Sequence, residues 1–88
     1  MSYTNDETSL IDGVLSSYML SQGVLGSVRE KYLTVHQHLI QNKLTSEDLT
    51  CIKNGLYFLL PQFEHDRQMQ RALISAIATT HAMIKGVA

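Results

Sequence analysis

Four histidines, one cysteine and a scatter of acids and bases are the side chains of this 88-residue chain with chemistry to offer. His36 and His38 stand two apart, and residues two apart on a helix face different directions, so they do not chelate one ion together. His65 lies between Glu64 and Asp66, a trio that suits either a cation or a solvated loop. His81 follows Ile77 by four residues and precedes Ile84 by three, on the line of an apolar stripe. A half-buried histidine gives up its proton more readily than an exposed one, which makes His81 the candidate pH-sensitive group. Its alternative role is a boundary residue hydrogen-bonded to a neighbouring helix. No H-E-x-x-H or Cys/His ligand spacing occurs, so neither a metal nor another cofactor is expected.

Nucleophilic chemistry has even less to stand on. Cys51 precedes Ile52 with no histidine at helical spacing, and reads as a small core filler. There is no G-x-S-x-G, P-loop or G-x-G-x-x-G, and the acid pairs Asp6-Glu7 and Glu47-Asp48 sit where helix starts favour negative charge. The chain is not expected to be an enzyme. Nucleic acid is a minority reading. Residues 1–26 hold three acids and no base, while Arg67, Arg71 and Lys85 are candidate phosphate contacts further on. Glu64 and Asp66, beside Arg67, make local salt bridges the more economical use of those arginines.

The elements that position these groups are helices, because apolar residues recur at steps of three and four. Leu10, Ile11, Val14, Leu15, Tyr18 and Met19 predict a first helix over about 8–22, capped by Thr8 or Ser9 and weakened by Gly13. Gly23 and Gly26 bracket a break, with Gly23 suited to a left-handed C′ position. Ser27 and Glu30 form a capping box that starts a second helix near Val28, with the stripe Val28, Tyr32, Val35, Leu39 widened by Leu33 and Ile40 and an end near Asn42. Thr45 and Asp48 form a further box ahead of Leu49, Ile52, Leu56 and Leu59, and Pro61 ends that helix. A fourth helix from about 66 to 85 carries Met69, Leu73, Ile74, Ile77 and Ile84.

The run Leu56-Tyr57-Phe58-Leu59-Leu60 is apolar on every side, so the end of the third helix must be covered all round. Covering two or three more large side chains contributes about 1.5–3 kcal/mol each, comparable to the whole stability of a small domain. A homodimer with Leu56, Tyr57, Phe58, Leu59, Leu60 and Phe63 near the interface is therefore expected, with Tyr3 a further anchor. The alternative is that the first helix folds back and caps this run within one chain.

Composition bounds the rest. Hydrophobic residues make 44%, charged residues 17%, and the net charge is −1, an ordinary globular balance that excludes intrinsic disorder and a polybasic surface. A lone cysteine excludes a disulfide framework and suits the reducing cytoplasm. The polar, acidic start is unlike a signal peptide, and no apolar run approaches the roughly 20 residues of a membrane span. The expectation is an all-α, three- to four-helix small bundle forming a single domain over 1–88, with 1–7 a disordered tail.

Ser17-Tyr18 followed by Gly23 and Leu25, then Leu33 and Ile40, then Ile52, Leu56 and Leu60, resembles the small AriR/YmgB-type regulators. After a shift of about two residues beyond Pro61, Arg71 and the apolar residues 73–77 also align, so the resemblance runs roughly from 15 to 80. The chain departs from that pattern at Ser27-Val28, Leu33-Thr34, Thr50 and Pro61, and no individual functional residue is carried over. The resemblance implies a short all-α dimer, a two-component-system connector acting on a response regulator in biofilm control and acid resistance.

The resulting expectation is a small non-catalytic regulatory adaptor acting by protein–protein contact, with itself and with another regulatory protein. The alternatives are a DNA-binding transcriptional modulator and a small immunity or inhibitor protein that blocks one enzyme or toxin.

Overall fold

Helix α1 spans Asn5–Ser21, α2 Gly26–Ile40, α3 Ser46–Leu59 and α4 Arg67–Val87, with a 3-10 turn at Leu60–Phe63. The computed structural model describes residues 3–21 and 26–87, with side chains for 3–17 and 30–86. Among the described residues there is no strand, and the chain is an all-α, four-helix bundle. Gly23, Val24, Leu25 and the side chains of Tyr18, Met19, Ser27 and Val28 lie outside the described residues.

The start of α1, the end of α2, both ends of α3 and the start of α4 each have a local cause. At the start of α1 the Thr4 N–H donates to Glu7 Oε1 at 2.9 Å and the Glu7 N–H donates to Thr4 Oγ1 at 3.1 Å. This reciprocal pair is a capping box. It starts the helix at Asn5, inside the stretch 1–7 expected to be a tail and ahead of the caps expected at Thr8 or Ser9. Helix α2 ends in a Schellman motif, in which the Lys43 N–H reaches His38 O at 2.9 Å and the Asn42 N–H reaches Leu39 O at 3.3 Å. Asn42 sits there at φ 56°, a conformation asparagine tolerates. Thr45 and Asp48 cap α3 reciprocally, as their spacing predicts. Pro61 falls early in the 3-10 turn that ends α3, and Asp66 Oδ1 accepts the Met69 N–H at 3.1 Å to start α4.

Helix α3 is the centre of the bundle. It packs against α1, α2 and α4, whereas among the described residues α2 and α4 do not meet. Ile11, Val14 and Leu15 of α1, Tyr32, Val35 and Leu39 of α2, Ile52 and Leu56 of α3, and Leu73, Ala76 and Ile77 of α4 form one buried cluster. Three residues expected in that core are exposed instead: Leu33 at 53%, Ile40 at 68% and Ile74 at 53%. Each follows a buried neighbour, Tyr32, Leu39 or Leu73, and so is rotated about 100° from the core line.

The N-terminal end of α1 is tied to α4. Thr80 is fully buried and donates its hydroxyl to Ala76 O, so the Tyr3 phenol donates to Thr80 Oγ1. Burial pushes the Tyr3 phenol up to about 12, and the Glu7 charge adds to it. Glu7 Oε2 accepts the Thr79 hydroxyl at 2.8 Å. Burial works against the Glu7 charge, but the Thr4 N–H and the Thr79 and Thr4 side chains outweigh it and hold the carboxyl below its usual range.

Candidate functional site: the aromatic end of α3 and the histidine–carboxylate links

The apolar run at the end of α3 is divided by the fold. Leu56 is completely buried and Leu59 nearly so, while Leu60 and Phe63 are partly buried against the core. Helix α1 supplies much of this cover, with Leu10 and Val14 lining one groove together with Leu59, Phe63, Met69 and Leu73. Folding back of the first helix therefore accounts for part of the run within one chain. Tyr57 and Phe58 remain outside, at 48% and 36% exposure. Residues one and two positions after Leu56 point about 100° and 200° round the helix from it. The bundle buries Leu56 and Leu59 on one side of α3 and leaves Tyr57 and Phe58 on the other partly exposed.

Tyr57 also locates His81. The Tyr57 hydroxyl lies 3.0 Å from His81 Nε2, and the two rings meet edge to face with centroids 6.1 Å apart at 70°. His81 is exposed rather than half-buried, so the burial from which its acid sensitivity was inferred is not there. The apolar spacing that suggested it includes Ile77, which faces the core, but position 81 falls on the solvent side of that face. It is the boundary residue bonded to a neighbouring helix.

The pairings that sequence spacing did not reveal belong to the other histidines. His36 Nδ1 lies 2.8 Å from Asp12 Oδ1, joining α2 to α1. His38 Nδ1 lies 2.6 Å from Asp48 Oδ2, joining the last turn of α2 to the first turn of α3. Two residues apart, the rings do face different ways, each towards an acid on a different helix. Nothing in the local sequence marks these partners, which are 24 and 10 positions away. His65 is highly exposed and stays with its neighbour, Nε2 to Glu64 Oε1 at 3.2 Å. Among the described residues no three His, Cys, Asp or Glu side chains are placed to hold a metal ion together.

Cys51 is buried in the core cluster. Burial raises its thiol above the usual range, the Tyr32 hydroxyl and Lys31 partly offset this, and the Asp48 charge adds to it. A thiol held in its neutral form is a poor nucleophile.

Arg67, Arg71 and Lys85 are all exposed on α4. The local salt bridges expected for the arginines do not form. Glu64 is engaged by His65, and Asp66 turns back to cap α4. No described helix is long and apolar enough to cross a membrane.

Comparison of the chain with protein-family models, with curated proteins and with solved structures gives no significant match.

Proposed function

We propose that this chain is a small, non-catalytic regulatory adaptor that works by protein–protein contact, as a cytoplasmic homodimer that engages a second regulatory protein. The observation that carries the reading is the exposure of Tyr57 and Phe58 directly beside the buried Leu56 and Leu59. Aromatic side chains next to a packed core are already anchored at low entropic cost, and they dominate contact energetics where they are covered. Two copies related by a two-fold axis would cover what remains exposed of four such rings, 36–48% of each. That gains roughly half of the about 1.5–3 kcal/mol that full burial of an exposed ring contributes. The buried, neutral Cys51 thiol supports a role without covalent chemistry. The resemblance to AriR/YmgB-type connectors supplies the finer content, a contact with a response regulator in stress, acid-resistance or biofilm control.

Sedimentation equilibrium from low micromolar to near-millimolar protein tests the first step. The expected result is a monomer–dimer equilibrium that the double change Tyr57→Ser and Phe58→Ser moves to monomer, with helix content by circular dichroism unchanged. A monomer at every concentration defeats the homodimer. Capture of a response regulator from a bacterial lysate by the intact chain, lost with the same double change, tests the second step.

A further inference from the structure

Positions 67, 71, 74, 78, 81 and 85 of α4 step by four, three, four, three and four. Their side chains therefore leave the helix within about 40° of one line. Arg67, Arg71, Ile74, Ala78, His81 and Lys85 occupy those positions, and all six are exposed. They form a stripe about 27 Å long, at 1.5 Å per residue, opposite the face that buries Leu73, Ala76 and Thr80.

The charge on this stripe is one-sided. Helix α4 contains no acid over its 21 residues. Arg67, Arg71 and Lys85 make no ion pair among the described residues; the acids nearest them in sequence, Glu64 and Asp66, have other partners, and Glu7, which does reach α4, is bonded to Thr79. Arginines in the first two turns also oppose the helix dipole, so helix stability does not call for them. Between the cationic ends sits Ile74, with about half its surface in water. The pattern is a pair of arginines, an apolar centre, then a lysine.

We propose that the outward face of α4 is a docking surface for an acidic amphipathic helix of a partner protein. The partner's apolar side chain packs on Ile74 and Ala78. Its carboxylates meet Arg67 and Arg71 at one end and Lys85 at the other. Guanidinium groups pair with carboxylates in a fixed, two-pronged geometry, and complementary charge sets register and speeds encounter. A nucleic-acid backbone would satisfy the same cations, but it has no use for an isoleucine between them. That difference selects protein. The inference rests on the reading of the chain as a contact protein and names the chemistry of its partner; this stripe meets the exposed end of α3 at the Tyr57–His81 contact.

The test is selection of a displayed library of random helical peptides on the immobilised full-length chain at low ionic strength, with binding of the enriched peptides then measured by fluorescence anisotropy. The expected peptides carry Asp and Glu flanking an apolar residue. Their affinity falls at least about tenfold with Arg67→Glu plus Arg71→Glu, and about fivefold with Ile74→Ser, while helix content is unchanged. Absence of enrichment, peptides without acidic bias, or binding indifferent to the arginine changes overturns the proposal. So does tighter binding of a fluorescent DNA duplex that survives Ile74→Ser, which assigns the stripe to nucleic acid. Peptides lost with Tyr57→Ser and Phe58→Ser but retained with the arginine changes also overturn it, and leave the broader contact reading in place. A strictly monomeric chain that still selects acidic peptides supports the stripe and defeats only self-association.

Discussion

His38 Nδ1 lies 2.6 Å from Asp48 Oδ2, and that same oxygen accepts the Thr45 backbone N–H at 2.8 Å. One nearly buried carboxylate thus caps α3 and holds the last turn of α2 to it. Removing it strands two donors at the corner between the helices. Asp48→Ala should lower the unfolding free energy by about 2 kcal/mol, and His38→Ala by about 1 kcal/mol. Because the two share one contact, the double change should cost less than the sum. Urea denaturation of the four proteins checks this. An Asp48→Ala cost no larger than that of the exposed neighbour Glu47→Ala would refute it.

Glu7 is the acid whose titration the fold uses. Its folded-state pKa is lowered, so the stability it contributes is present above the unfolded value and lost as pH falls through the carboxylate range. Glu7→Gln should cost about 0.5–1 kcal/mol at neutral pH by weakening the Thr4 cap and the Thr79 bond. The gap between the two proteins should close in acid. Denaturation curves at neutral pH and well below the carboxylate range give the comparison, and a gap that is independent of pH contradicts the assignment.

Tyr3 works at the other end of the scale. Its phenol is pushed up to about 12, so the contribution is complete below the ordinary value of 10.0 and disappears as pH rises from there towards 12. Ultraviolet titration should show the Tyr3 phenol ionising late, and Tyr3→Phe should remove that contribution from the late part of the curve.

Gly13 sits inside α1 with open space where a Cβ would stand. Gly13→Ala should therefore stabilise the chain by about 1 kcal/mol, a rise of about 4–8 °C in Tm for a domain this size. Calorimetry reads it directly, and an unchanged or lowered Tm counts against a well-formed α1.

Two leucines of similar appearance in the sequence should behave oppositely. Leu56→Ala opens a cavity beneath α1 and α4 and should cost about 3 kcal/mol. Leu33→Ser removes an exposed side chain and should stay within about 0.5 kcal/mol of the parent. Similar losses at both sites would mean that the outward face of α2 is covered in solution.

Much of the fold was legible because its determinants are local. The three-and-four spacing of apolar residues marks α1 to α4. Thr45 with Asp48 and the stop at Pro61 place the ends of α3 to within a residue. The start of α1 was legible too, in Thr4-x-x-Glu7, a signal outweighed by the polar look of the first residues. The candidate site was legible only as a composition, five apolar residues in a row. Which of them face water depends on where α1 lies.

The sequence by itself determined the helices, their caps and the one-signed charge of α4, since each follows from residues within a turn or two of one another. Tertiary structure alone decided that Leu39 is buried while Ile40 is not, that Tyr57 meets His81, and that His36 and His38 find Asp12 and Asp48. Adjacent apolar residues have the same local preferences, and only the direction from which another helix arrives separates them. Side chains far apart in the chain are likewise paired by the angle at which their helices cross, and no spacing within either helix encodes that angle.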